Sequence, residues 1–214
     1  MKLYQITIRT ALYISFLLVI GMFSFTNKNI QSASFYQLKY DVEIQDKYVG
    51  WMTCLKNVNP SQPTETNFVI DSKVNVNVIT DYDIQFKLES GYKNGSLANA
   101  NYFTKVNGDT QSLSSVKWDG TQYWGWDGKK KTTLGSDKIM QSIGNLYFKE
   151  PVGLTQLFSE KYLAFCPITK AGEYYTVSFP DGKSTIYKYQ NGICVWAESK
   201  QKLYKIVFRL KEIK

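Results

Sequence analysis

Six dipeptides of Asn or Asp followed by Gly punctuate the chain: Asn94-Gly95, Asn107-Gly108, Asp119-Gly120, Asp127-Gly128, Asp181-Gly182 and Asn191-Gly192. A type I′ turn needs positive φ at both central positions, and Asn or Asp followed by Gly tolerates this best. The segments around these turns alternate with period two. In Lys73-Val74-Asn75-Val76-Asn77-Val78-Ile79-Thr80 the valines share one face and Lys and Asn the other, which a 3.6-residue period would not keep together. The same alternation marks residues 40–44, 84–89, 174–179, 186–189 and 203–210. Turns and runs together predict a mainly β chain, a long-stranded antiparallel meander. Several strands reach ten or more residues, and long twisted strands curl a sheet, so the expected form is a curved, unclosed β-barrel-like sheet.

One interval departs from this pattern. Between Gly135 and Tyr162 the residues Ile139, Met140, Ile143, Leu146, Tyr147, Leu154, Leu157 and Phe158 fall at spacings of three and four, with Pro151 and Gly153 splitting the stretch. This predicts two short helices, about 136–148 and 152–160, with Ser136 or Asp137 near the first cap. Such a pair would cover one face or mouth of the curved sheet.

The N-terminus reads as a targeting segment. Lys2 and Arg9 precede the apolar stretch Ala11–Phe25, and no acid interrupts either. A positive region before an apolar run shorter than the roughly 18–20 residues of a spanning helix is the pattern of a secretory signal. The segment is assigned to residues 1–26, with cleavage near 26 or near 34, or with the segment kept as an uncleaved membrane anchor. No Cys stands beside the apolar run to be acylated. The expected location is therefore outside the cytoplasm, in the periplasm or cell envelope, or secreted. The remaining residues, 35–214, suit one domain.

Composition narrows the chemistry. His is absent, which removes the commonest general base and metal ligand. The net charge of +8 is carried almost wholly by Lys, Arg9 and Arg209 being the only arginines. Nucleic-acid readers favour clustered Arg, so no nucleic-acid partner is expected. The run Lys129-Lys130-Lys131 reads as a solvated hairpin tip or as a contact for anionic lipid headgroups or acidic glycans. Cys54, Cys166 and Cys194 each lie in apolar surroundings and read as small core residues, while a bridge between two of them stays open. The acids Asp71, Asp81, Asp83, Glu89, Glu150, Glu160 and Glu173 show no motif, and no phosphate-binding loop or metal-spaced cluster is present. A non-enzymatic protein without catalytic, cofactor or metal residues is expected.

The densest aromatic cluster is Trp118 to Gly128, where Trp-Asp-Gly occurs twice. On a hairpin Trp124 and Trp126 share a face, and Trp118 could join them across the turn. Trp118, Tyr123, Trp124 and Trp126 are thus the candidate contact residues for a ligand or partner, against the alternative of cross-strand packing into the core.

The segments Tyr40-Asp41-Val42 with Gly50-Trp51-Met52, then Tyr147-Phe148-Lys149-Glu150-Pro151, Phe158-Ser159-Glu160, Pro180-Asp181-Gly182 and Tyr187-Lys188-Tyr189-Gln190-Asn191-Gly192, resemble a family of exported Bacteroidota proteins known as a domain of unknown function. The resemblance runs over most of residues 36–211. More distantly, the layout of a long antiparallel sheet interrupted by a helical pair is similar to the unclosed barrel of LolA/LolB-type periplasmic lipoprotein carriers. That likeness concerns architecture, and lipid carriage follows from it only by analogy. Two functions are compatible with these features. One is the binding of an apolar or lipid-like ligand in the concave sheet. The other is a structural or interaction module that meets an envelope protein or glycan through the aromatic hairpin or a sheet edge.

Overall fold

The computed structural model describes residues 35–77, 81–201 and 204–214; the expected targeting segment lies outside them, as do parts of the alternating runs at 78–80 and 203. Among the described residues no helix is long and apolar enough to cross a membrane.

The described residues form fourteen antiparallel strands in one sheet. The first eight are β1 (Phe35–Ile44), β2 (Lys47–Val58), β3 (Glu65–Asn77), β4 (Asp81–Lys93), β5 (Ser96–Val106), β6 (Asp109–Trp118), β7 (Tyr123–Trp126) and β8 (Lys131–Gly135). The remainder are β9 (Gln156–Ser159), β10 (Ala164–Ala171), β11 (Tyr174–Ser178), β12 (Ser184–Gln190), β13 (Ile193–Lys200) and β14 (Lys205–Ile213). Their spatial order is β8-β7-β6-β5-β4-β3-β2-β1-β14-β13-β12-β11-β10-β9. β1 therefore lies in the middle of the sheet, and the chain meanders from it out to the edge at β8. It then passes to the opposite edge at β9 and meanders back until β14 lies beside β1. The sheet stays unclosed, and both edges are strands of only four or five residues, which offer little template for pairing with another chain.

The six turn signals all fall between consecutive strands, in two geometries. Asn94-Gly95, Asn107-Gly108 and Asn191-Gly192 are two-residue turns with positive φ at both positions. The three Asp-Gly pairs sit in longer loops, where the carboxylate accepts backbone N–H groups two or three residues on. Asp119 takes Thr121 and Gln122, Asp127 takes Lys129 and Lys130, and Asp181 takes Lys183. The short Asp side chain replaces a backbone turn bond in this arrangement. Gln45-Asp46 makes a further positive-φ turn between β1 and β2 without any glycine.

Alternation sends Leu38, Tyr40, Val42, Met52, Cys54, Ile70, Val74 and Leu88 into a common core. All three cysteines are buried free thiols, which resolves the open question of a bridge. Burial pushes Cys166 up to about 11, Cys194 up to about 12 and Cys54 well above its ordinary value.

The helical pair is corrected. Residues 136–148 hold a single-turn helix, α1 (Ile143–Leu146), capped by Ser142 instead of Ser136 or Asp137. The helix cannot start earlier because Ile139 is engaged by the sheet: its C=O accepts the Leu97 N–H at 2.8 Å and its N–H donates to the Tyr123 hydroxyl at 3.3 Å. Residues 152–160 hold β9 (Gln156–Ser159) in place of a helix, with Phe158 opposite Phe165 and Leu157 opposite Cys166. Leu157, Phe158 and Ser159 are all buried. A short strand buried on both faces shows no alternation, and spacing alone does not separate it from a helix. The single-turn α1 packs against β3, β4 and β9, and Leu146 and Tyr147 join the core.

Candidate functional site

The consecutive antiparallel hairpins of a meander turn at alternate ends of the sheet. Ile44 pairs with Ile206 and Gly50 with Val74, so the β1–β2, β3–β4 and β13–β14 turns share one end. Counting onward, the β5–β6, β9–β10 and β11–β12 turns lie there too. The inward-facing side chains at this end leave a cavity of about 450 Å³. Val74, Ile84, Phe86, Leu88, Tyr102 and Val106 form one wall, and Tyr187, Ile206 and Phe208 the opposite one. Ile143 and Tyr147 from the connector and Met52 from β2 complete the apolar lining.

Tyrosines fill the space beside it. Tyr147 meets Tyr40 edge-on at 5.5 Å and Tyr187 at 6.1 Å, and Tyr175 meets Tyr189 at 5.5 Å. Each hydroxyl that goes inward needs a partner. Tyr40 donates to the Cys194 carbonyl at 2.6 Å and Tyr189 to the Leu146 carbonyl at 2.9 Å, while the Cys194 N–H donates to the Tyr147 carbonyl at 3.0 Å. The connector is thus bonded to the strands around it.

Polar groups enter the cavity from the β9–β10 turn. Glu160 is 1% exposed. Its Oε1 accepts Ser142 Oγ at 2.5 Å, Ser90 Oγ at 3.0 Å and the Gly144 N–H at 3.1 Å. Since Ser142 spends its hydrogen on Glu160, Tyr92 must be the donor in its 2.7 Å bond to Ser142. Oε2 is buried and has no partner. Burial pushes this carboxyl above the usual carboxylate range, against the hydrogen bonds of Ser142, Ser90 and Gly144. Next along the chain, Lys161 and Tyr162 line the rim with Phe179 and Lys183. Tyr162 stacks on Phe179 at 5.4 Å and donates to Asp181 at 2.6 Å. Lys183 pairs with Asp181 at 2.9 Å. Burial works against that acid, but the bonds from Tyr162 and Lys183 hold it down at about 2.

The four aromatic residues picked out in the sequence lie elsewhere, and none lines the cavity. The β6–β7 turn belongs to the opposite end of the sheet. Tyr123 is buried, donating to the Leu97 carbonyl at 2.7 Å. Trp118 pairs with Tyr123 and so shares its face, ring to ring at 4.7 Å, and does not join Trp124 and Trp126. Trp124 donates its indole N–H to Asp119 at 2.7 Å and carries the Lys131 ammonium 4.1 Å from its ring centre. Lys138 covers Trp118 at 3.2 Å. Only Trp126 stands substantially free, 38% exposed.

Of the candidate acids, Glu160 is the one that lines the cavity among the described residues. Its special position could not be read from Phe158-Ser159-Glu160-Lys161, because the partners Ser90, Ser142 and Gly144 come from distant segments. Many of the cavity's apolar residues are alternate members of their strands, such as Ile84, Phe86 and Leu88 in β4, and the turn signals marked an end of β4, β5 and β12 but none of β2, β3 or β14. The parity of those turns was the available clue to which end each hairpin occupies.

A sheet of this form, unclosed and enclosing an apolar cavity under an inner connector, defines a β-barrel-like protein. The chain belongs to the family described as Domain of unknown function (DUF6134), whose family model matches residues 40–211. It is also similar to a solved β-barrel-like protein of domain of unknown function DUF1849 from Brucella abortus, at 12% identity and a TM-score of 0.52, covering 84% of this chain and 97% of that one. At that identity the likeness shows the fold alone. No curated protein matches the sequence significantly.

Proposed function

We propose that this protein is exported to the cell envelope and there holds an apolar or lipid-like ligand inside its concave sheet, without catalysing a reaction. The observation that carries the reading is the cavity of about 450 Å³, walled by aliphatic and aromatic side chains from strands on both sides of the sheet. Its size lies within the range of roughly 300–1,000 Å³ used by small-molecule sites, and most of its lining is apolar. Export is supported by the basic residues ahead of the apolar stretch Ala11–Phe25. A contact surface at the aromatic hairpin has weaker support, since Trp118 and Trp124 are already covered by Lys138 and Lys131.

The test is the binding of N-phenyl-1-naphthylamine, a neutral dye that fluoresces in apolar surroundings. The wild-type protein is expected to bind it, and Ile84→Trp, which fills the cavity from its wall, to weaken binding at least tenfold with unchanged far-ultraviolet circular dichroism. Absence of binding to the wild type, or equal binding by the variant, would overturn the reading.

A further inference from the structure

The charges at the rim are unequally satisfied. Asp181 is engaged by both Lys183 and Tyr162, so its negative charge is already committed. Lys161 lines the same cavity and, among the described residues, forms no ion pair; its Nζ rests 4.8 Å from the centre of the Tyr162 ring. Burial, reinforced by the neighbouring charge of Lys183 and opposed by the weaker attraction of Asp181, pulls its ammonium below the ordinary lysine range. A half-buried cation beside a second cation gains most from an incoming anion, because the low-dielectric wall strengthens the attraction. The same lining carries the apolar side chains Val74, Ile84, Phe86 and Phe208, with Ser72, Thr104, Thr185, Ser199 and Gln201 among its uncharged polar members.

We propose that the ligand is a single-chain amphiphile with an anionic head, the head held at the rim by Lys161 and Lys183 and the chain laid along Val74, Ile84, Phe86 and Phe208. The inference rests on the container reading above and adds the sign of the head and the end at which it sits. The volume lies in the lower half of the usual range for ligand pockets, which suits one chain better than a lipid with several. A fatty acid and a single-chain phospholipid share this chemistry.

The test compares four twelve-carbon probes below their micelle concentrations, at one pH and low salt, by displacement of N-phenyl-1-naphthylamine. They are dodecanoate, dodecyl phosphate, dodecanol and dodecyltrimethylammonium. Dodecanoate or dodecyl phosphate is expected to bind at least tenfold more tightly than dodecanol, and dodecyltrimethylammonium more weakly than either anion. Tighter binding of dodecanoate than of dodecyl phosphate assigns the head to a carboxylate, and the reverse order assigns it to a phosphate; both uphold an anionic head. Lys161→Gln should remove most of the preference while keeping dodecanol binding, Lys161→Arg should retain it, and Lys117→Gln, outside the cavity, should leave it intact. Equal binding of dodecanol and the anions overturns the anionic head, and a preference surviving in Lys161→Gln overturns its placement at Lys161; either result leaves the container standing. If the dye and all four probes fail to bind, the container itself falls and this inference with it.

Discussion

Glu160 shows how one side chain can make folding depend on pH. An unfolded glutamate titrates near pH 4.3. In the folded protein burial raises that value, so the neutral form is the one that folding favours. Below about pH 4.3 the carboxyl is neutral in both states and its contribution to stability is complete. As pH rises from there through the folded value, the unfolded chain ionises first and stability is lost, by about 1.36 kcal/mol per unit of difference between the two pKa values. Glu160→Gln keeps an acceptor oxygen for Ser142, Ser90 and Gly144 and cannot ionise. Its urea midpoint should therefore fall less steeply than that of the wild type as pH rises above about 4.3. An unchanged slope would mean that another group sets the dependence.

Among the elements, the connector is held by sterics more than by helical preference. On propensity alone Gly144→Ala should stabilise α1, by about 1 kcal/mol. A Cβ at Gly144 would, however, drive into Ser90 Oγ and stand 2.8 Å from Glu160 Oε1, in a segment that is already buried. Overpacking of this kind costs about 1–3 kcal/mol and would also disturb the hydrogen bonds that orient Glu160. The variant is expected to be less stable than the wild type by chemical denaturation, and a gain in stability would show that the packing here is loose. The same primacy of packing explains the two expected helices. Spacings of three and four in residues 136–160 indicate which residues are apolar, but whether such a run winds or extends depends on free backbone groups. Pairing with β10 engages Leu157, the Gln141 carbonyl accepts the Phe158 N–H, and Leu97 and Tyr123 take the groups of Ile139. The long strands were legible because alternation over ten or more residues leaves no competing period.

For the whole molecule, the topology predicts an uneven distribution of stability. β1 lies between β2 and β14 at the centre of the sheet, whereas β8 and β9 are short edges. Regions with few buried contacts open locally at lower free energy. Hydrogen exchange followed by mass spectrometry should show the slowest amides in β1 to β3 and β14 and the fastest strand amides in β8; uniform protection would contradict this picture. The aromatic hairpin illustrates how far the sequence leads at this scale. Its repeated Trp-Asp-Gly correctly marks two loops of one kind, with Asp119 and Asp127 in the same role. Residue type did not reveal that Trp118 faces Tyr123 or that lysines from β8 and beyond would cover two of the indoles. Local chemistry in the sequence by itself determined the turns and the alternating faces of the strands, because positive φ and a period of two are properties of a few neighbouring residues. The edge-to-edge passage from β8 to β9, the seating of Glu160 among Ser90, Ser142 and Gly144, and the end of the sheet left hollow were decided only in three dimensions. Each depends on how side chains far apart in sequence share one volume.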